Sequence, residues 1–175
     1  SVVLGDARLT LEREAARDEP GDFDILAIDA FSSDSIPVHL LTRQAFEIYL
    51  DRLADRGVLA IHISNRYVDL NPVVIRLARE FGLHIALIDS DGKEAPGEYS
   101  SDWVLLSKDH WLTSTPAIAA VMDKTVAKAG APLWTDDYSN VFQAIRTGSA
   151  RDAFEAVGGC LLLDCPESST STTKK

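Results

Sequence analysis

Apolar residues along this chain fall into short unbroken runs, separated by longer stretches in which they recur every three or four positions. An unbroken run of about six reads as a buried strand, whereas three-to-four spacing reads as a helix with one apolar face. The clearest run is 23–29, Phe-Asp-Ile-Leu-Ala-Ile-Asp, which predicts a parallel strand covered on both faces and ending at the carboxylate of Asp29. Further strands are predicted at 2–4, 58–63, 83–88 and 103–107. Helices are predicted at 7–16, at 42–54 behind an N-capping Thr42, at 71–81 and at 115–129. Leu41, Ala45, Ile48, Tyr49 and Leu53 share one face of the second, and Val74, Leu77, Ala78 and Phe81 one face of the third. Gly57, Gly82 and Gly130 stand where glycine commonly stops a helix. The stretches 18–22, 30–38, 90–101 and 134–140 read as loops, the last holding the adjacent acids Asp136 and Asp137.

Strands alternating with helical segments imply an α/β fold with a mainly parallel, doubly wound, Rossmann-like sheet. Ligands of such sheets sit beyond the carboxyl ends of the strands. Polar groups are predicted there at Gly5-Asp6, at 29–34, at Ser64-Asn65 and at Asp89. A chain of 175 residues has room for one domain. Residues 1–146 carry its pattern, while 147–175 read as a weakly structured extension ending in a Ser/Thr-rich disordered tail. The absence of an initiating Met and the apolar opening predict that the chain belongs to something longer.

Charge narrows the range of partners. With 27 acidic and 17 basic residues the formal charge is −10, which repels a phosphate backbone, so no nucleic-acid partner is expected. The same field attracts cations and makes a small amine a plausible substrate. No apolar run approaches the roughly 20 residues that cross a bilayer, so no membrane contact by this segment is expected. Cys160 and Cys165 form neither a disulfide framework nor a metal-ligand set, which points to a reducing, cytoplasmic setting. His39, His62, His84 and His110 lack metal-ligand spacing, and no metal is expected. His62, on a buried strand, reads as a satisfied core residue, whereas His39, in the loop after Asp34, is a candidate to line the crevice.

Five blocks occur in a characteristic order. They are Gly5-Asp6-Ala7-Arg8; Phe23-Asp24 through Ile28-Asp29-Ala30-Phe31-Ser32-Ser33-Asp34; Ile36-Pro37-Val38-His39-Leu40-Leu41-Thr42; Gly57-Val58 through His62-Ile63-Ser64-Asn65-Arg66; and Trp134-Thr135-Asp136-Asp137-Tyr138. Over residues 2–146 the chain resembles spermidine synthase-like proteins, which have the class I S-adenosylmethionine-dependent methyltransferase fold. In particular it looks like the soluble part of bacterial members in which that domain follows a membrane-embedded segment. The resemblance implies an aminopropyltransferase that uses decarboxylated S-adenosylmethionine and a small amine, without a metal, and it allows a homodimer. It assigns the nucleoside to Asp6, with Ala7 beside it, and the sulfonium and incoming amine to Asp29. It also turns Asp137 and Tyr138 toward the ligand. Two departures accompany it. The family's Asp-Ser-Ser-Asp-Pro block holds its acids closer together than the five residues that separate Asp29 from Asp34, which keeps methyl transfer from S-adenosylmethionine open as an alternative. The family's glycine-rich turn is absent, so the chain corresponds to a fold lacking its first two strands. A transferase-derived binding module or inactive fragment is a further alternative, and the strand at 2–4 is expected to fray for want of neighbours.

The implied chemistry asks for a carboxylate. An alkylammonium, with a pKa of about 10, must lose its proton to attack a carbon next to a positive sulfur. A carboxylate at Asp29 can orient the ammonium, accept that proton and stabilise charge developing on nitrogen. Asp34 or Asp137 would then anchor the distal ammonium of a diamine.

Overall fold

A computed structural model describes residues 2–17, 19, 21–29, 37–65, 67–92, 99–123 and 130–145. The predicted residue Asp34, the tail, Cys160 and Cys165 lie outside these. The order of elements is α1 (Ala7–Ala15), β1 (Phe23–Ile28), a 3-10 turn (Val38–Leu40), α2 (Arg43–Arg52), β2 (Leu53–His62) and α3 (Asn71–Glu80). Then follow β3 (His84–Ser90), β4 (Ser101–Ser107), α4 (Trp111–Ser114), α5 (Pro116–Val121) and a second 3-10 turn (Val141–Ala144).

Local chemistry accounts for the helix boundaries. The carboxylate of Asp6 accepts the Leu9 amide and starts α1, and the hydroxyl of Thr42 accepts the Ala45 amide and starts α2. In α3, Pro72 occupies the first turn, where its missing N–H costs nothing. Gly82, at φ +64°, ends the helix in the left-handed region that a side chain resists. Ala45, Phe46, Tyr49 and Arg52 form the buried face of α2, and Val73, Val74, Leu77 and Ala78 part of that of α3. Phe46 lies 6.0 Å from Tyr49 and 6.2 Å from Phe81, ring centre to ring centre. These rings pack with Leu59, Ile61, Val104 and Leu106 of the sheet into a single core. Burying one such aliphatic side chain is worth about 1.5–3 kcal/mol.

Among the described residues the sheet has four strands in the order β1-β2-β4-β3. It is mixed, not mainly parallel: β1 and β2 pair in parallel, while β4 runs antiparallel to both β2 and β3. The reason lies in the connections. The helix α2 carries the chain back over the sheet between β1 and β2, as a parallel pair requires, whereas the sequence of 91–100 has no helical periodicity. Lacking a crossover, β3 and β4 pair side by side in opposite senses. Because β4 alone is reversed, β1, β2 and β3 still point the same way, and their carboxyl ends share one edge of the sheet.

Several local expectations are corrected. Residues 2–4 form no strand: as expected of a segment without neighbours they are unpaired, and Val2 and Leu4 are 90% and 93% exposed. Strand β1 lies at one edge of the sheet among the described residues, and one of its faces is open: Ile28 is buried but Ile25 is 69% exposed. Gly57 does not end a helix. It lies within β2, where the pairing jumps from Phe23↔Leu53 to Ile25↔Val58, and a Cβ there would meet the Phe23 carbonyl oxygen at 2.6 Å. The helix expected at 115–129 is described only as the short α5, with 124–129 outside the described residues. Trp134, expected in a polar loop, is fully buried, and its carbonyl accepts the Arg43 amide at 2.8 Å, which fastens that loop to the start of α2.

Candidate functional site

Two groups of polar side chains are brought together, one from the sheet edge and one from segments far apart in sequence. At the sheet edge, the pairing of Ile28 with Ile61 carries Asp29 next to His62, the last residue of β2. The Nδ1 atom of His62 lies 2.8 Å from Oδ1 of Asp29, and its Nε2 lies 2.8 Å from Oγ of Ser64. The two-residue spacing puts Ser64 on the same side as His62, as strand geometry dictates. The backbone of β4 closes the group: the Asp102 amide donates to Ser64 Oγ at 2.6 Å, and the Asp102 carbonyl accepts the Ile63 amide at 2.8 Å. Trp103 stacks on the imidazole, with ring centres 4.9 Å apart and planes 23° from parallel. Asp29 remains open to solvent, its side chain 57% exposed against 21% for His62.

The second group walls a cavity of about 420 Å³ lined by Arg8, Val38, His39, Thr42, Asp136 and Ser139, among others. Arg8 donates to both carboxylate oxygens of Asp136, at 2.7 and 2.6 Å, in the forked geometry that guanidinium and carboxylate share. It also donates to Glu12 at 3.0 Å, to the His39 carbonyl at 3.0 Å and to the Thr42 hydroxyl at 3.3 Å. Thr42 in turn donates to Asp136 at 2.8 Å. Beside this network, Nε2 of His39 lies 2.7 Å from Oδ2 of Asp6, whose other oxygen caps α1.

These contacts set the charge states. Hydrogen bonding to Asp136 raises the Arg8 guanidinium, and the same bond holds the Asp136 carboxyl below its ordinary value. The Leu9 amide, aided by His39, does likewise for Asp6. Burial pushes the Tyr49 hydroxyl up, and that hydroxyl donates to the Leu40 carbonyl at 3.2 Å.

Of the residues singled out by sequence, Asp6, Ala7 and His39 come together, because Ala7 opens α1 directly after Asp6. Asp29 stands in the first group. The acid in the cavity wall is Asp136 rather than Asp137; Asp137 and Tyr138 are both exposed, at the tip of a turn closed by the Tyr138 amide on the Thr135 carbonyl. His62 is only partly buried and is engaged with Asp29 rather than being a core residue. Ser64 had a signal in sequence, its two-residue spacing from His62 at a strand end. Arg8 and Asp136, 128 residues apart, had none. Among the described residues no group of three or more His, Cys, Asp or Glu is placed to hold a metal ion. No helix among them is long and apolar enough to cross a membrane. No protein-family model and no curated protein matches this chain.

Proposed function

We propose that this chain is a spermidine synthase-like transferase domain that joins an aminopropyl group from decarboxylated S-adenosylmethionine to a small amine. The observation that carries the reading is a solvent-facing carboxylate, Asp29, at the shared carboxyl edge of β1 and β2, braced on one oxygen by His62. The residues present fit a nucleoside. The carboxylate of Asp6, bonded by the Leu9 amide and by His39, is 31% exposed and keeps acceptor capacity for an adenine amino group.

The donor supplies a carbon made electrophilic by its neighbouring sulfonium. Asp29 orients the ammonium of the acceptor and takes one of its protons; the lone pair so freed forms the new N–C bond as the C–S bond breaks, and its electrons leave with the neutral thioether. The net charge of −10 favours arrival of the cationic amine. On this reading the domain works in the cytoplasm, with its parent held at a membrane by a preceding segment.

Isothermal titration of the intact protein with methylthioadenosine, followed by mass analysis of the product formed with a diamine, tests the reading. Nucleoside binding and an aminopropyl adduct are expected, with turnover falling by roughly 10²–10⁴ in Asp29→Asn. A methyl adduct would transfer the site to methyltransferase chemistry, and absence of nucleoside binding would end both readings.

A further inference from the structure

We infer that His62 is a positioning residue, held by Ser64 and the Asp102 amide so that its Nδ1–H fixes one oxygen of Asp29 and turns the other toward a cationic ligand. The inference deepens the transferase reading and rests on it for the identity of the cation; the hydrogen-bond chain itself does not.

The direction of the chain follows from valence. An ionised carboxylate only accepts hydrogen bonds, so the 2.8 Å contact between Asp29 Oδ1 and His62 Nδ1 requires the proton on Nδ1. In the neutral ring Nε2 is then an acceptor, and at 2.8 Å it takes the hydroxyl proton of Ser64. The oxygen of Ser64 in turn accepts the Asp102 amide at 2.6 Å. Every donor therefore points the same way, from a backbone amide of β4 through Ser64 and His62 to Asp29. The anchor is rigid because the Asp102 carbonyl also holds the Ile63 amide, between His62 and Ser64 in sequence. The stacked Trp103 ring fixes the plane in which the imidazole donates.

Two consequences follow for the carboxylate. A proton already on Nδ1 prevents His62 from taking another there, so Asp29 itself is the terminal acceptor. With Oδ1 held by His62, Oδ2 is the oxygen presented to a ligand, on a side chain that is 57% exposed. An ammonium, which donates up to three hydrogen bonds and accepts none, is the chemistry that matches it.

Long-range ¹⁵N–¹H correlation spectra of the histidine-labelled chain read the tautomer directly, with His62 assigned by the signals lost in His62→Asn. The Nδ1–H form is expected in the wild type and in Ser64→Ala, with a shift toward Nε2–H in Asp29→Ala. A wild type in the Nε2–H form, or one whose tautomer ignores Asp29→Ala, would overturn the inference. Calorimetry with 1,4-diaminobutane reads the consequence. His62→Phe retains the ring stacked on Trp103 but no donor, and is expected to weaken binding roughly tenfold. His62→Asn, whose amide nitrogen takes the place of Nδ1, is expected to restore affinity to within about threefold. Equal losses in the two variants would refute a positioning role. If the wild type bound no diamine, the transferase reading would fall while the tautomer result still decided the hydrogen-bond chain.

Discussion

The bond between Arg8 and Asp136 joins α1 to the loop that walls the cavity, and its strength can be worked from the geometry. Two charge-assisted hydrogen bonds of 2.7 and 2.6 Å link the groups. Desolvated bonds of this kind are worth about 1.5–3 kcal/mol each, whereas exposed ion pairs give about 0.2–1 kcal/mol. Arg8 is 13% exposed and Asp136 39%, so water screens one partner substantially, and a coupling of about 1–2 kcal/mol is expected. Arg8 also bonds Glu12 and the His39 carbonyl, so single substitutions overstate the pair; a double-mutant cycle removes those contributions. Urea unfolding of the wild type, Arg8→Met, Asp136→Asn and the double variant supplies the coupling. The pH dependence gives an independent check. The folded-state pKa of Asp136 lies below its unfolded value, so its stabilisation is present above about pH 4 and is lost as pH falls through the folded value. In Asp136→Asn the acid limb should therefore be shallower, with the share due to Asp6 retained. A coupling below about 0.3 kcal/mol together with an unchanged acid limb would refute the argument.

Three further outcomes are expected. Phe46→Ala empties a fully buried position between Tyr49 and Phe81 and should cost about 3–5 kcal/mol in denaturant unfolding, whereas Phe142→Ala, at a side chain 84% exposed, should stay within about 0.5 kcal/mol. Thr42→Ala removes both the cap of α2 and a bond to Asp136 and should lower stability by about 1–2 kcal/mol, while Thr42→Ser, which keeps the oxygen, should recover most of it. Gly82→Ala places a side chain at φ +64° where space is open, so backbone strain alone should cost about 1–2 kcal/mol, visible as a lowered thermal midpoint.

Segments whose signal is local were legible in the sequence. The caps Asp6 and Thr42, the buried faces of α2 and α3 and the strand run ending at Asp29 all depend on neighbours within a few residues. The mixed sheet was not read from the sequence: the alternation of strands and helices predicted a mainly parallel sheet, whereas β4 runs antiparallel to both its neighbours. Trp134 shows the limit of pattern reading. Surrounded in sequence by Thr135, Asp136 and Asp137, it resembles a loop residue, yet it fills the core and its carbonyl holds the Arg43 amide.

The sequence by itself determined the alternation of helices and strands, the places where helices begin, and the presence of an acid at the end of β1, because capping, periodicity and burial are decided over a few residues. Only the tertiary structure decided what that acid touches. The register of β1 against β2 sets His62 beside Asp29, β4 entering in reverse supplies the Asp102 amide that holds Ser64, and the fold brings Arg8 to Asp136 across 128 residues. Contacts of that range depend on how elements pack, and no spacing along the chain encodes them.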